Sequence, residues 1–148
     1  MKQRGVTLIE LVITITVVAI AVTAVLGNLS FTARSSAAAL VRHQAVAVAE
    51  AYLEEILLRP FADPDGADGE SSRALLDDLD DYDGLSDAGA RDQFGNPLAG
   101  LANYTVTVGV QPSGALPGVP VAQALRIDVT VTHPADVPVV VSGYRTNF

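Results

Sequence analysis

The sequence predicts an α+β fold, with one long N-terminal helix packed on a C-terminal antiparallel β-sheet of three or four strands. Three observations carry this expectation. Residues 1–59 contain no proline and only two glycines, Gly5 and Gly27, whereas all eight prolines and ten of the twelve glycines lie from Pro60 onward. From Leu11 to Ala33 there is no charged residue. The last third alternates apolar and polar residues, the period of a strand with one buried face.

Proline ends helices and glycine weakens them, so a single helix before Pro60 is the simplest reading. About fifty residues at a rise of roughly 1.5 Å would span on the order of 80 Å, too long for a helix enclosed in a domain of this size. Its first half meets the length of roughly 20 apolar residues that a bilayer-spanning helix needs. Many of these residues are β-branched (Val12, Ile13, Ile15, Val17, Val18), which would also suit a strand. A lone strand in hydrocarbon leaves its backbone unsatisfied, so the membrane setting decides for helix. Lys2 and Arg4 precede the run, and the next basic residue is Arg34. The positive-inside rule then places the N-terminus in the cytoplasm and the rest of the chain outside.

Beyond Arg34 the pattern becomes amphipathic. Val41, Ala45, Val48, Tyr52 and Ile56 recur at spacings of three and four, as do Val46, Ala49, Leu53 and Leu57. Such a stripe is suited to packing on a sheet. In the sheet itself, Tyr104, Val106, Val108 and Val110 form one inward face, and Leu125, Ile127, Val129 and Val131 form another. A third run, Val139 to Tyr144, is expected to pair with the second after a connection spanning His133 to Pro138. Between helix and sheet, residues 61–100 hold eleven acidic residues against Arg73 and Arg91, which reads as a solvated, loop-rich segment.

The chain has 148 residues, a formal net charge of -8, two histidines and no cysteine. Without cysteine there are no disulfides, thiolate metal sites or cysteine nucleophiles. An acidic chain repels the phosphate backbone, so nucleic acid is not an expected partner. His43 and His133 offer no nucleophile–base pair in the sequence, and no catalytic residue is expected.

The first ten residues, Met1-Lys2-Gln3-Arg4-Gly5-Val6-Thr7-Leu8-Ile9-Glu10, are the most informative. A plain signal anchor explains the basic start and the apolar run, but not an acidic Glu10 at the edge of that run, where a carboxylate is costly. A secretory signal cut after Ala19-Ile20-Ala21 leaves Glu10 equally unexplained and discards half of the helix. The short basic leader, the Gly5-Val6 junction and Thr7-Leu8-Ile9-Glu10 resemble the class III signal of type IV prepilins and pseudopilins. The resemblance implies cleavage by a prepilin peptidase between Gly5 and Val6 and N-methylation of Val6. It also implies pairing of the Glu10 carboxylate with the N-terminal amine of a neighbouring subunit in a filament. Opposite charges buried together compensate each other, whereas either alone is expensive. Many major pilins carry proline where Gly27 stands, so local unwinding at Gly27-Asn28 during assembly is a further expectation.

The same resemblance divides the chain into a leader (1–5), a transmembrane half of the helix (6–28), an amphipathic half (29–59), an acidic loop region (60–102) and the sheet (103–148). Ala49-Glu50-Ala51-Tyr52-Leu53-Glu54-Glu55-Ile56-Leu57 leading to Arg59-Pro60-Phe61 resembles minor pilins of the mannose-sensitive haemagglutinin (MSHA) type, particularly the D class. So do Asp81-Tyr82-Asp83-Gly84-Leu85, Asn103-Tyr104 and Gly143-Tyr144-Arg145-Thr146. The resemblance implies a structural minor subunit that helps prime a type IV pilus for adhesion or surface attachment. Its implied partners are the peptidase, other pilins and the inner-membrane assembly platform. Asp92-Gln93-Phe94-Gly95-Asn96-Pro97 resembles a loop of secretion pseudopilins, which makes a minor type II secretion pseudopilin the alternative. A signal-anchored periplasmic binding domain is a second alternative.

No cofactor is expected, with one reservation in the acidic segment. Asp63, Asp65 and Asp68, and then Asp80 and Asp83, could contribute some of the six to eight oxygens that calcium takes. Neither group keeps EF-hand spacing, because Ala67 and Tyr82 fall at ligand positions.

Overall fold

The computed structural model describes residues 7–64, 66, 70 and 72–147, with the backbone alone at 34 and 35. Among the described residues there are one α-helix, α1 (Leu8–Leu57), and four strands: β1 (Ser86–Asp87), β2 (Thr105–Pro112), β3 (Ala124–His133) and β4 (Asp136–Thr146). Two compact units are distinguished, residues 1–39 and residues 40–148.

The described residues of unit one form helix from Leu8 onward, without tertiary cover. From Leu8 to Phe31 every large aliphatic or aromatic side chain is exposed. α1 is unbroken at Gly27 and Asn28, so the expected unwinding there is not a feature of the isolated chain.

In unit two the C-terminal half of α1 packs on the sheet to give the α+β arrangement read from the sequence. Its apolar stripe is the one the spacing predicts. Ala45, Val48, Ala49, Tyr52, Leu53 and Ile56 are buried, with Val41, Val46 and Leu57 half-buried beside them. Opposite them stand the inward faces of β2 (Tyr104 at its entry, Val106, Val108, Val110) and β3 (Ile127, Val129, Val131). Helical hydrogen bonding stops at Leu58–Arg59, because the residue before Pro60 is driven out of the α region. Gly143 on β4 lets the layers approach closely: a Cβ there would stand 2.9 Å from Leu53 Cδ1.

The sheet is antiparallel throughout, in the order β1-β2-β3-β4. Two points differ from the sequence reading. The fourth strand is the two-residue β1, inside the segment expected to be loop, pairing Ser86 with Thr107 and Asp87 with Val106. The β3–β4 connection is also shorter than expected, since the ladder already resumes at His133–Asp136. Pro138 therefore lies within β4 rather than in the turn. An edge strand tolerates proline because no outer neighbour needs its N–H.

The acidic segment is not uniformly solvated. Leu76, Leu79 and Tyr82 join the core, and Asp78 and Asp87 are buried with them. Apolar residues interspersed among the aspartates fold this stretch back onto the domain, and its carboxylates are accommodated by specific donors.

Candidate functional site

The start of α1 is set by Thr7. Its carbonyl accepts from Leu11 N at 3.1 Å, and its Oγ1 accepts from Glu10 N at 3.3 Å. Thr7 is thus the N-cap and Glu10 the third helical residue, one half of a capping box. The Thr-x-x-Glu spacing carries this signal in plain sight, and in it Glu10 contributes its backbone N–H. A carboxylate in the first turn is favoured by the helix dipole. The Glu10 side chain is exposed. Gly5 and Val6, the expected cleavage and methylation positions, lie outside the described residues.

The hydroxyl groups of the apolar run are engaged within the helix. Thr14, Thr16 and Thr23 donate to the carbonyls of Glu10, Val12 and Ala19 at 2.7–2.8 Å. Ser30 and Thr32 donate in the same way to Leu26 and Asn28. Their hydroxyl protons are thus engaged within the helix, which makes the surface compatible with hydrocarbon or with another apolar helix. α1 includes a stretch long and apolar enough to cross a membrane.

In unit two a buried polar lock ties the acidic segment to α1. Arg73 donates to Asp87 Oδ2 at 2.7 Å and to Glu55 Oε2 at 3.0 Å. Its guanidinium lies 4.5 Å from the centre of the Tyr52 ring and 6.0 Å from that of Tyr82. The Tyr52 hydroxyl donates to Asp87 Oδ2 at 2.8 Å and accepts from Arg91 N at 2.7 Å. Tyr82 donates to Glu55 Oε1 at 2.9 Å. Burial pushes both phenols above their ordinary values. In Tyr82 the Glu55 charge adds to the rise; in Tyr52 the Arg91 hydrogen bond opposes it. Higher on the helix, Tyr104 donates to Gln44 Oε1 at 2.7 Å. No local sequence pattern announces these contacts, because Tyr52 and Arg91 are separated by 39 residues and Tyr104 and Gln44 by 60.

The aspartates near residue 80 form a local turn structure. Asp81 Oδ2 accepts from Asp77 N at 2.9 Å and from Asp78 N at 3.4 Å, while Asp78 Oδ1 accepts from Asp81 N at 3.1 Å. Burial pushes the Asp78 carboxyl up to about 6. Burial also raises Asp81, but hydrogen bonds from Glu70 and from the Asp77 and Asp78 N–H groups outweigh it and leave Asp81 low. The hydrogen bond to Asp81 in turn raises the Glu70 carboxyl.

Of the expected calcium candidates, Asp63, Asp80 and Asp83 line one shallow depression together with Asp78, and Asp65 and Asp68 lie outside the described residues. Asp63 already accepts from Gly66 N, and Asp83 Oδ1 from Val110 N, both at 2.8 Å. Among the described residues, oxygens of three other carboxylates, Glu70, Asp77 and Asp81, lie within 4.8 Å of one another.

Residues 1–26 match the family model of the prokaryotic N-terminal methylation motif. No curated protein and no solved structure matches the chain. The motif supports a type IV pilin or pseudopilin, a structural class of protein that is processed by prepilin peptidase and assembled by membrane machinery. The exposed apolar helix fits membrane anchorage.

Proposed function

We propose that this chain is a minor pilin-like structural subunit of an MSHA-like type IV pilus. It is cut between Gly5 and Val6, methylated on Val6, and held in the inner membrane with its C-terminal domain in the periplasm until it enters or primes the filament. There it serves adhesion or surface attachment and catalyses nothing. The observation that carries this reading is the pairing of the methylation motif with a helix apolar on every side from Leu11 to Phe31. Such a surface needs lipid or neighbouring helices around it. Glu10, a carboxylate in an apolar helix, is accommodated when a neighbour's N-terminal amine lies against it.

The test is mass spectrometry of the N-terminal peptide from protein extracted from its native membrane. A peptide beginning at Val6 with one added methyl group is expected. An intact Met1 would return the chain to the class of signal-anchored periplasmic domains.

A second reading, a minor pseudopilin of type II secretion, draws on the Asp92–Pro97 loop. Asp92 accepts from Phe94 N, Asn96 N and Asn96 Nδ2 at 2.8–2.9 Å, so the loop is a built feature with an exposed Phe94 at its tip. Deletion of the gene separates the readings: loss of surface attachment supports the pilus, and loss of secretion supports the pseudopilus.

A further inference from the structure

The chain carries two Asn-x-Ser/Thr triplets, Asn28-Leu29-Ser30 and Asn103-Tyr104-Thr105. That pattern is the acceptor signal for N-linked sugar, and it is usable only on an accessible surface outside the cytoplasm. The structure separates the two. Asn28 and Ser30 lie inside α1, where the Ser30 hydroxyl donates to Leu26 O at 2.9 Å and Asn28 O accepts from Thr32 at 3.0 Å. A helix places residues two apart on different faces, and this stretch belongs to the apolar run that needs lipid or other helices around it. The first triplet is closed to a transferase.

The second is open. Ala102 and Asn103 form the turn that leads into β2. Leu101 O anchors it by accepting from Tyr104 N at 3.1 Å and from Ala90 N at 3.2 Å. Gly89 lets the turn sit close, since a Cβ there would stand 3.3 Å from Ala102 Cα. The middle residue of the triplet, Tyr104, is only 3% exposed. Its hydroxyl is bound to Gln44 Oε1, and its ring centre lies 4.6 Å from that of His133. With Tyr104 turned inward, the two polar members of the triplet stay on the outside, as alternation along an extended backbone requires. Asn103 is exposed, and Thr105 is half-buried beside its strand partner Thr132. Residues 93–125 contain no Asp, Glu, Lys or Arg, so the strand and loops around the turn bring no charge of their own to hydrate it.

We propose that Asn103 is an N-glycosylation site that takes an oligosaccharide from a lipid-linked diphosphate donor, an assignment that rests on the periplasmic placement of unit two proposed above. In the transfer a bond forms between Asn103 Nδ2 and C1 of the first sugar, and the bond from C1 to the diphosphate oxygen breaks. The lipid diphosphate leaves with the electron pair, and the amide proton passes to a base of the transferase. The Thr105 hydroxyl is the group that completes the triplet for recognition. The attached glycan hydrates a surface that lacks fixed charge.

For the test, the full-length protein is extracted from its native membrane and digested with trypsin, which releases residues 92–126 as one peptide bearing Asn96 and Asn103. Tandem mass spectrometry is expected to find this peptide heavier by whole sugar residues, carried on Asn103 and retained through mild alkali that strips Ser- and Thr-linked glycans. Thr105→Ser should keep the sugar, Thr105→Ala and Asn103→Gln should lose it, and Asn28→Gln should leave it unchanged. A bare 92–126 peptide from the wild-type protein, or sugar that survives Asn103→Gln, overturns the site. The N-terminal peptide of the same digest reports on the filament reading separately. Methylated Val6 beside a bare 92–126 peptide removes the site and leaves that reading intact, and intact Met1 beside glycosylated Asn103 does the reverse.

Discussion

Arg73 donates to Asp87 Oδ2 across 2.7 Å, with both side chains almost wholly removed from solvent. The same guanidinium reaches Glu55 on α1, so a single residue of the acidic segment joins helix and sheet edge. Truncating it leaves Glu55 without this cation and Asp87 with only the more distant Arg91 at 3.7 Å, and breaking a buried pair costs about 3–5 kcal/mol. Arg73→Ala is therefore expected to lower stability by about that amount. The check is thermal unfolding of the full chain in mild detergent, followed by the tyrosine near-UV circular dichroism that reports on Tyr52 and Tyr82.

Tyr52→Phe tests the same lock more gently. Its hydroxyl serves Asp87 as donor and Arg91 N as acceptor, and the ring remains in place when the oxygen is removed. One buried N–H then loses its acceptor and one carboxylate loses a donor, for an expected cost of about 1–3 kcal/mol. A loss below a few tenths of a kcal/mol in the same unfolding assay would mean that water replaces both bonds.

The close approach of Gly143 to Leu53 predicts non-additivity. Gly143→Ala places a methyl 2.9 Å from Leu53 Cδ1, so Leu53 must leave its packing position, at a cost of about 1–3 kcal/mol. Leu53→Ala alone costs about 2–5 kcal/mol as a cavity. In the double variant the new methyl enters space that Leu53 has vacated. The summed loss is expected to exceed the measured one by at least about 0.5 kcal/mol.

The pH dependence of stability follows from Asp78. Burial pushes its folded-state carboxyl up to about 6, above the usual value near 4 for an unfolded aspartate. Between these values the folded protein holds the proton that the unfolded chain releases. The contribution is therefore fully present below about pH 4 and is lost as pH rises through about 6, on the order of 2 kcal/mol in all. The lowered Asp81 carboxyl runs the other way, losing its contribution as pH falls through its folded value. Asp78→Asn keeps an oxygen to accept from Asp81 N and carries no charge. It is expected to be more stable than the parent above pH 6 and to flatten the decline between pH 4 and 6 in denaturant titrations.

How much of this was legible beforehand depended on the range of each interaction. The buried stripe Ala45–Ile56 and the alternation in β2 and β3 are local patterns, so the helix, the principal strands and their inward faces could be read from spacing. β1 could not, because two residues carry no period and pair only through Val106 and Thr107. Pro138 read as a turn residue because nothing local reveals that β4 is an edge strand. Arg73, Glu55 and Asp87 looked like solvated charges, since their partnership depends on chain separations of 14 and 18 residues. The N-terminal methylation motif and the helix that carries it were the most legible part, because a basic leader, a Gly-Val junction and an acidic residue before a long apolar run are contiguous. The capping role of Thr7 was equally contiguous in Thr7-Leu8-Ile9-Glu10 and was simply masked by the louder motif.

Calcium offers the last test. Glu70, Asp77 and Asp81 bring oxygens within 4.8 Å of one another, yet the Asp81 carboxylate is already committed to the Asp77 and Asp78 N–H groups and to Glu70. A calcium ion would have to compete with those donors while collecting six or more oxygens from a turn that presents few. The Glu70 carboxyl, raised by its hydrogen bond to Asp81, would also have to bind the ion beside two like charges. Calorimetric titration of the full chain in detergent is therefore expected to give no saturable heat at millimolar calcium, with the same melting temperature in chelator. Saturable heat that disappears in Asp77→Asn and persists in Asp63→Asn would instead assign these three carboxylates to a metal and make the acidic turn a calcium-ordered element.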